Sequence, residues 1–406
     1  MSRLVTTGFE VYDVGNFGAG VNTLAPDGRT GTSGGRSGSA ARSGSYGIRI
    51  VNAGSVTREL RFTGATARSY FARVYVRYSA WPSSSAPNEG NVFWNATDGS
   101  WIVFFNVDET GLAILCEPGG SQIGSGSVQL SLDTWHMVEM KVNISAAGND
   151  TVGLRVDGVD VVTDESFALG SSAPGGLWLQ NAYAGTFNVD MDDVAINDDQ
   201  GASQNTWPGG GKVVLLTPIS DNQRGSWTGG SGGTTNLYDA VNNDPPAGTA
   251  TESNTTQIES ADSSGDNSTD EYRINLTTYT DAGIGGSDTI TLLHPFIDHG
   301  EDVATGTKTG SFGMQANPAD TYATFTFGDN VGALGTWPTN WRWARGTVTY
   351  SPSVTLGSSP VIAVRKTDTG TRVASVDRIG VYAEYVPGVA GADAVMPYAG
   401  GGYHPT

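Results

Sequence analysis

The chain has almost no cysteine and no long apolar run. Cys116 is the only cysteine among 406 residues, which excludes an intrachain disulfide and a zinc site built on cysteines. No apolar run approaches the roughly 18 residues that a membrane-spanning helix needs. The first residues, MSRLVTTGFE, lack the apolar core of a secretory signal. We therefore expect a protein that is synthesised in the cytoplasm and has no membrane partner.

Helical patterning is also missing. No long stretch has apolar side chains at the i, i+3, i+4, i+7 spacing of an amphipathic helix with capping residues at its ends. Glycine is abundant instead, and the 57 glycines are about double the average usage of roughly 7%. Clusters of Gly, Ser, Thr and Asn separate short apolar runs, as in chains with many turns between many strands. The sequence therefore predicts an all-β protein.

Basic residues are scarce, and they are unevenly distributed. The formal net charge is −19, but residues 1–77 contain 10 Arg against 4 acids, a net charge of +6 for that segment. The rest of the chain carries 12 basic residues against 37 acids, a net charge of −25. Such a surface repels nucleic acid and anionic membranes, so neither is expected as a partner. The early arginines are interpreted as solvated positions on strands, with docking of an acidic partner as the alternative.

Short alternating segments predict the strands of a first domain at residues 1–200. The segment HMVEMKVNI places Val138, Met140 and Val142 on one face and polar residues on the other. SWIVFFNV is apolar on both faces, as expected of a strand in the middle of a sheet. In LRVDGVDVV, the pair Asp157-Gly158 suits a type I′ turn and predicts a hairpin. Antiparallel strands at this spacing indicate a β-sandwich.

A turn-rich stretch at 201–211 predicts a linker to a second β-sandwich at 212–388. Strand-like segments recur there, among them DEYRINLTTY, DTITLLHPFID and RIGVYAEYV. Between them, 242–271 is acidic and nearly free of bulky apolar residues, so we interpret it as a long exposed loop or an arm held by a partner. The glycine-rich tail at 389–406 cannot form its own core and is expected to dock or fray.

The order of motifs in the first domain resembles a known fold. The segments GFE, RSGSYGIRI, DTWHMVEMKVN, LRVDGVDVV and DMDDVAIND occur in the order found in concanavalin A-like jelly rolls of the laminin-G type. The resemblance covers about residues 5–200. It implies a jelly roll whose last strand returns beside the first.

The second domain resembles a domain of tailed-bacteriophage virion proteins. The resemblance is carried by LLTPISDN, LYDAVNNDPP, DEYRINL, TWPTNWRWARGTVTY and IGVYAEYV, in that order. It implies a non-enzymatic structural component of a phage particle, of the minor tail, fibre or capsid-decoration type. Such a protein would reside in the virion after synthesis in the host cytoplasm. It would dock on other virion proteins in multiple copies, and neither a catalytic residue nor a cofactor comes with the resemblance.

Two other functions remain open. The first is a carbohydrate-binding adhesin that recognises a host surface glycan through the jelly roll, and the second is a depolymerase. Trp81, Trp94 and Trp101 are candidates for a sugar-stacking face, although tryptophan in a sandwich core is the commoner case. Trp337, Trp341 and Trp343 form a second cluster, which we assign to the core or a subunit interface. No glutamate starts the closely spaced E-x-D-x-x-E pattern that jelly-roll glycosidases carry on one strand.

The segment FNVDMDDVAINDD contains five aspartates within thirteen residues. Its apolar alternation through Val189 and Met191 resumes one residue out of phase at Val194, which predicts a β-bulge near Asp192 and Asp193. We interpret the segment as a bulged final strand with solvated acids and no metal. The alternative is a calcium site that uses Asp190, Asp192 or Asp193 together with Glu10, because calcium prefers six to eight oxygen ligands.

The segment LLHPFIDHGED offers a nominal metal set of His294, Asp298, His299 and Glu301. Pro295 argues against a helix that would bring both imidazoles to one face, and a strand would place residues five apart on opposite faces. We interpret this segment as the end of a strand followed by a charged loop.

Overall fold

The computed structural model describes most of both predicted domains. The described residues are 3–9, 28–30, 34–51, 57–61, 69–83, 90–96, 100–145, 148–168, 174–180, 187–229, 236–241, 258–259, 271–301, 308–315, 323–327, 342–345, 348–352, 354–366 and 374–388.

The first part of the chain folds into antiparallel strands with one short 3-10 helix at Gly38–Ala40. The strands are β1 (Arg3–Thr7), β2 (Gly28–Thr30), β3 (Gly34–Ser37), β4 (Gly47–Val51), β5 (Thr57–Arg61), β6 (Ser69–Tyr78), β7 (Val92–Ala96), β8 (Trp101–Val107), β9 (Leu112–Cys116), β10 (Val128–Gln129), β11 (His136–Asn143), β12 (Thr151–Val156), β13 (Val159–Ser166), β14 (Pro174–Gln180) and β15 (Asn188–Asp198).

These strands form two sheets that pack face to face as a β-sandwich. Sheet 1 has the order β13-β12-β11-β6-β15-β4-β3, and β1 also pairs with β15. Sheet 2 has the order β10-β9-β8-β7-β14-β5-β2. The return of β15 beside β1 confirms that feature of the jelly-roll resemblance.

Alternation along the strands builds the core between sheets 1 and 2. On β11, Val138, Met140 and Val142 are buried in this core, as predicted. The predicted hairpin is also present, because β12 and β13 pair across Asp157 and Gly158. Both turn residues have positive φ, 52° and 78°, as a type I′ turn requires.

The second part of the chain forms another sandwich. Its elements are β16 (Lys212–Leu216), β17 (Pro218–Gln223), β18 (Thr228–Gly229), α1 (Leu237–Ala240), β19 (Ile258–Glu259), β20 (Glu271–Leu276), β21 (Thr289–Glu301), β22 (Lys308–Gln315), β23 (Ala323–Phe327), β24 (Arg342–Arg345), β25 (Thr349–Tyr350), β26 (Val361–Lys366) and β27 (Ala374–Val386).

Sheet 3 has the order β18-β19-β27-β21-β24, with β16 beside β27 and β25 beside β21, and sheet 4 has the order β17-β20-β26-β22-β23. The second core lies between them and includes Ile274, Leu293 and Val364. The predicted fold class, all-β with two β-sandwiches in tandem, is therefore confirmed. In the described part of the chain, no helix has the length and apolar character needed to cross a membrane.

The acidic stretch 242–271 falls mostly outside the described residues. Its described internal piece, β19, is a short strand of sheet 3 that pairs with β18 and β27. Ile258 of that strand is fully buried in the second core, so this piece is not an exposed loop. The tail at 389–406 lies outside the described residues.

The two sandwiches meet at a buried carboxylate, Glu384 on β27. The guanidinium of Arg3 on β1 reaches both of its oxygens, at 2.5 Å and 3.2 Å. Arg73 on β6 also reaches both, at 3.4 Å and 3.2 Å. All three side chains are at most 2% exposed. Two bidentate arginines from the first sandwich thus hold one carboxylate of the second, which is the strong geometry for such pairs.

The linker completes this junction by packing on the outer face of sheet 1. The carbonyl of Gly209 accepts a hydrogen bond from Arg73 at 2.8 Å, and its N–H donates to Glu139 on β11 at 2.7 Å. Trp207 stacks edge-on against Phe71 of β6 at 5.5 Å. The linker and the second sandwich therefore cover the outer face of sheet 1 around β6 and β11.

Gly8 permits the close approach of the two sandwiches. A Cβ at Gly8, directly after β1, would lie 2.7 Å from the carbonyl oxygen of Val213 on β16. Val213 itself packs with Phe296 and Tyr382 in a small apolar cluster beside the buried carboxylate. A larger residue at Gly8 would push the sandwiches apart at this point.

The interpretation of the early arginines as solvated positions is wrong for Arg3 and Arg73. Both lie on strands, but their side chains are on the face that the second sandwich and the linker cover. Burial of each guanidinium is offset by Glu384 and by carbonyl or amide oxygens. Sequence alternation locates a residue on a face, but it does not say what covers that face.

We expect Glu384→Gln to destabilise the protein by about 3–5 kcal/mol, because it leaves two buried guanidinium groups without a counter-charge. Urea unfolding measures this change. The matched control is Asp160→Asn, which removes the half-exposed partner of Arg155 and is expected to cost about 0–1 kcal/mol. Equal effects of the two substitutions would contradict the assigned role of Glu384.

The pH dependence of the unfolding free energy should reflect the ionisation of Glu384. Burial alone would raise the pKa of Glu384, but the charges of Arg3 and Arg73 outweigh it and lower the pKa to about 2. A depressed folded-state pKa means that the stabilisation is fully present above the unfolded value near 4.5 and is lost as the pH falls to about 2. Over that window, the wild type should lose about 3 kcal/mol more of its unfolding free energy than Glu384→Gln. Parallel pH profiles of the two proteins would refute this assignment.

Candidate functional site

The aspartate-rich segment forms β15, and the predicted bulge is confirmed. Residues 188–191 of β15 pair with β4, whereas residues 194–197 pair with β1. The register with β6 shifts between Asp192 and Ala195, and Asp193 has a φ of 51°. The bulge therefore marks the point where β15 exchanges one neighbouring strand for another.

Asp190 lies before the bulge in a row of ion pairs on the outer face of sheet 1. Arg49 of β4 binds its two oxygens at 2.6 Å and 2.8 Å. Arg77 of β6 binds from the other side at 2.7 Å. The carboxylate is 5% exposed, and the two arginines are about a quarter exposed. This aspartate holds three neighbouring strands together.

Asp192 accepts hydrogen bonds from the backbone. The N–H groups of Arg42 and Ser43 donate to one of its oxygens at 2.7 Å and 3.2 Å, and the N–H of Asp193 donates to the other at 2.7 Å. Burial and the adjacent Asp193 raise the pKa of Asp192 well above its usual range, against the opposing effect of these hydrogen bonds. The side chain fixes the loop before β4 against the bulge.

Asp193 belongs to the junction between the sandwiches. It accepts hydrogen bonds from Arg42 at 2.5 Å, from the N–H of Val213 at 2.7 Å, and from the hydroxyl of Ser43. The oxygen of Ser43 also lies 2.9 Å from the carbonyl oxygen of Val213, the alternative acceptor for its single hydroxyl proton. This carboxylate therefore ties the bulge of the first sandwich to the first strand of the second.

The expectation of solvated acids in this segment is wrong. Asp190, Asp192 and Asp193 are all buried: Asp190 by the arginines of β4 and β6, Asp192 by the loop before β4, and Asp193 by that loop and the first strand of the second sandwich. Their oxygens already accept bonds from arginines and backbone N–H groups. Glu10, the fourth calcium candidate, lies outside the described residues. Within the described part of the chain no group of three or more His, Cys, Asp or Glu side chains could hold a metal ion.

The histidine-containing segment belongs to one long strand. β21 continues through Glu301 and pairs with β27 along its length, so the prediction of a strand end followed by a charged loop is wrong. His294 is buried opposite Tyr382 on β27. For Asp298, His299 and Glu301 the structure describes the backbone in β21 and not the side chains.

The tryptophan candidates separate into different places. Trp94 is fully buried in the core of the first sandwich. Trp81 packs on Tyr78 at the edge of that core, with ring centroids 5.7 Å apart. Trp101 lies on the outer face of sheet 2 and is half-buried. In the second cluster, Trp337 and Trp341 lie outside the described residues, and Trp343 is placed only by the backbone of β24.

A group of aromatic side chains lies on the outer face of sheet 2, on three adjacent strands. It consists of Phe93 on β7, Trp101 and Phe104 on β8, and Trp178 on β14, and we call it the aromatic face. Trp178 is in register with Phe93, and Phe93 with Phe104. The ring of Phe93 lies 4.8 Å from that of Trp101 and 5.1 Å from that of Phe104. The two phenylalanines are fully buried and the two tryptophans half-buried, so the tryptophans form the accessible part.

One amide within this surface lacks partners. Asn95 follows Trp94 on β7, and its alternation with Trp94 and Ala96, which face the core, places it on the same face as Phe93. It is 1% exposed, and neither its nitrogen nor its oxygen has a hydrogen-bond partner among the described residues. Buried amides are usually paired, so this one requires an explanation.

Trp178 has a signal in the sequence. In GLWLQ the flanking Leu177 and Leu179 face the core, so Trp178 must point outward on β14. An outward tryptophan on a strand within a sheet indicates a surface that is covered or functional. The sequence gives no comparable indication that the Asn95 amide lacks partners, because the hydrogen bonds of an amide depend on residues that are distant in the sequence.

A buried thiol lies at the edge of the aromatic face. Cys116 is in register with Phe104 at its edge, and burial, assisted by Glu117, raises the pKa of this thiol to about 12. The thiol is therefore protonated at neutral pH and is not an activated nucleophile. The expectation that the chain is not an enzyme stays a prediction.

The chain was also compared with known proteins. No protein-family model and no curated protein matches it. The chain is similar to the alginate lyase Aly36B, with a TM-score of 0.35 and 10% identity over 47% of this chain and 95% of that one. It is also similar to the CBM22-1-CBM22-2 tandem domain of Paenibacillus barcinonensis Xyn10C, with a TM-score of 0.26 and 10% identity over 94% and 97% of the two chains.

A third similarity is to domain 4 of AbnA, a GH43 extracellular arabinanase from Geobacillus stearothermophilus, with a TM-score of 0.28 and 14% identity over 43% of this chain and 85% of that one. Similarities of this size carry no argument about function. The virion role, the virion location and assembly in multiple copies stay predictions.

We expect calcium to leave the melting temperature of the wild type unchanged, because Asp190, Asp192 and Asp193 are already bonded to protein groups. Differential scanning fluorimetry in millimolar calcium and in EDTA makes the comparison. Asp193→Asn should lower the melting temperature equally in both, since it weakens bonds to Arg42 and Val213. A calcium-dependent rise that Asp192→Asn abolishes would instead establish the calcium site.

Proposed function

We propose that the protein is a non-catalytic carbohydrate-binding protein and that the aromatic face of the first sandwich is its binding surface. The observation that carries this proposal is the pair of half-buried tryptophans, Trp101 and Trp178, over a floor of Phe93 and Phe104. This corresponds to the alternative left open by the sequence.

The chemistry of the surface supports a sugar ligand. One face of a pyranose ring carries C–H groups, which pack on the flat apolar face of an aromatic ring, while its hydroxyls need hydrogen-bonding partners at the side. Binding sites typically combine aromatic surface with a few convergent polar groups. Here Trp101 and Trp178 supply the apolar planes, and Asn95 supplies an amide on the same face.

The position of the aromatic face also supports the proposal. The outer face of sheet 1 is covered by the linker and the second sandwich, through Arg73, Trp207 and Glu384. The outer face of sheet 2 is on the opposite side of the first sandwich. A large ligand such as a polysaccharide can therefore reach it without displacing the second sandwich.

A virion role remains compatible with this function. A protein that docks on a phage particle through its second domain could bind a host glycan through its first. Glycan binding by the aromatic face stands independently of where the protein resides, and it is tested on the purified chain.

We expect Trp101→Ala and Trp178→Ala each to weaken binding to a soluble polysaccharide about 10-fold or more, a loss of about 1.4 kcal/mol or more of binding free energy. Affinity gel electrophoresis against a panel of neutral and acidic polysaccharides identifies a binder, and titration calorimetry measures its affinity. The matched control is Trp135→Ala, which removes a half-buried tryptophan that stacks on Arg77 beside sheet 1.

The control variant should bind as well as the wild type. Absence of binding to every polysaccharide in the panel would refute the proposed function. Binding that is lost equally in Trp135→Ala and Trp101→Ala would place the site elsewhere.

A further inference from the structure

We infer that the aromatic face selects an uncharged sugar chain and that Asn95 is the residue that recognises it, through a hydroxyl or acetamido group of the ligand. This inference rests on the proposed function and adds to it the class of glycan and a residue that determines specificity. It also predicts a stability signature that no purely structural role of Asn95 would give.

The backbone register places Asn95 between the two accessible rings. Asn95 is paired with Trp101 on β8 and with Gly176 on β14, and Trp178 is two residues further along β14. Gly176 has no side chain, so nothing on β14 projects over the amide at this register. The amide therefore lies beside a position that lacks a side chain, between the tryptophans that form the accessible part of the aromatic face.

The unpaired amide is a destabilising feature of the free protein. Burial of a donor and an acceptor without partners loses the hydrogen bonds that both make to water in the unfolded chain. Neither atom of Asn95 has a partner among the described residues, although the residue is 1% exposed. A bound ligand that supplies both a donor and an acceptor would remove this deficit.

The chemistry of the amide distinguishes neutral from acidic sugars. A hydroxyl or an acetamido group both donates and accepts, so it can satisfy the nitrogen and the oxygen of Asn95 together. A carboxylate only accepts, so it would leave the amide oxygen unpaired beside a negative charge. On β5, which pairs with β14, Glu59 is in register with Trp178 and Arg61 with Gly176, so the residues beside the aromatic face add no net positive charge that would favour a uronate. These properties favour an uncharged sugar chain as the ligand.

Access to the amide requires movement of a side chain, because Asn95 is almost fully covered in the free protein. The ring of Trp101 is its in-register neighbour on the same face and is half-buried. Rotation of this ring is a side-chain motion and needs no change in the sheet. Trp101 thus both stacks on the ligand and uncovers the amide.

The decisive variant is Asn95→Leu, which has nearly the same shape and no hydrogen-bonding groups. We expect it to raise the melting temperature, because it removes an unpaired buried amide, and to weaken binding of a neutral polysaccharide at least 10-fold. The matched control is Asn197→Leu on β15, a buried amide whose nitrogen donates to the carbonyl of Thr206 at 2.7 Å, whereas its oxygen has no partner among the described residues. The control should lower the melting temperature and leave binding unchanged.

The probes are soluble β-glucan and xylan as neutral chains, a chitin oligosaccharide as an acetamido ligand, and alginate and polygalacturonate as acidic chains. Titration calorimetry with the full chain gives the affinities, and scanning calorimetry gives the melting temperatures. Binding of a neutral probe, together with both effects of Asn95→Leu, would support the inference.

Three results would overturn it, and they are distinguishable from failure of the proposed function. Preference for an acidic probe, with loss of binding in Trp101→Ala, would keep the aromatic face but refute the neutral ligand. Unchanged binding in Asn95→Leu would remove Asn95 from recognition. A lower melting temperature in Asn95→Leu would mean that the amide is already paired. Absence of binding to all probes by the wild type would instead refute the proposed function itself.

Discussion

The arrangement of the two sandwiches depends on the burial of one carboxylate, Glu384, between two arginines. The side chains of Arg3, Arg73 and Glu384 are at most 2% exposed, and a buried charge that loses its partner strongly destabilises the fold. The three strands that carry these residues must therefore keep a fixed relative position. Arg3 comes from the first strand of the chain, Arg73 from the middle of sheet 1, and Glu384 from the last strand of the second sandwich. Asp193 extends the same network by accepting the N–H of Val213. The constraint therefore joins the beginning, middle and end of the described chain.

This constraint gives the two faces of the first sandwich different roles. The outer face of sheet 1 carries arginines and carboxylates, and the linker and the second sandwich pack against it. The outer face of sheet 2 carries Trp101, Trp178 and an unpaired amide at Asn95, and it lies on the opposite side. Polar residues thus organise the internal contact, whereas apolar residues are left at the surface where a ligand can bind. This difference between the two outer faces is the physical basis for proposing that a ligand binds at sheet 2.

Local patterns in the sequence predicted local structure well. Alternation located the core residues of β11, the phase slip at Asp192 located the bulge, and Asp157-Gly158 located a hairpin. The same patterns did not predict what covers each face, because that depends on contacts between residues hundreds of positions apart. The aspartates of β15 and the arginines Arg3 and Arg73 were therefore expected in solvent, although they are buried, Asp193 and the two arginines in the junction. Trp178 could have been predicted from its two flanking leucines, but the unpaired state of Asn95 could not.

The central claim is that a glycan binds the aromatic face while the junction stays closed. Hydrogen–deuterium exchange of the full chain, with and without a neutral polysaccharide that it binds, tests both parts at once. We expect the ligand to slow exchange in β7, β8 and β14 and to leave exchange of β16 and β27 unchanged. Slower exchange confined to the second sandwich or to the linker, with none in β7, β8 or β14, would contradict it.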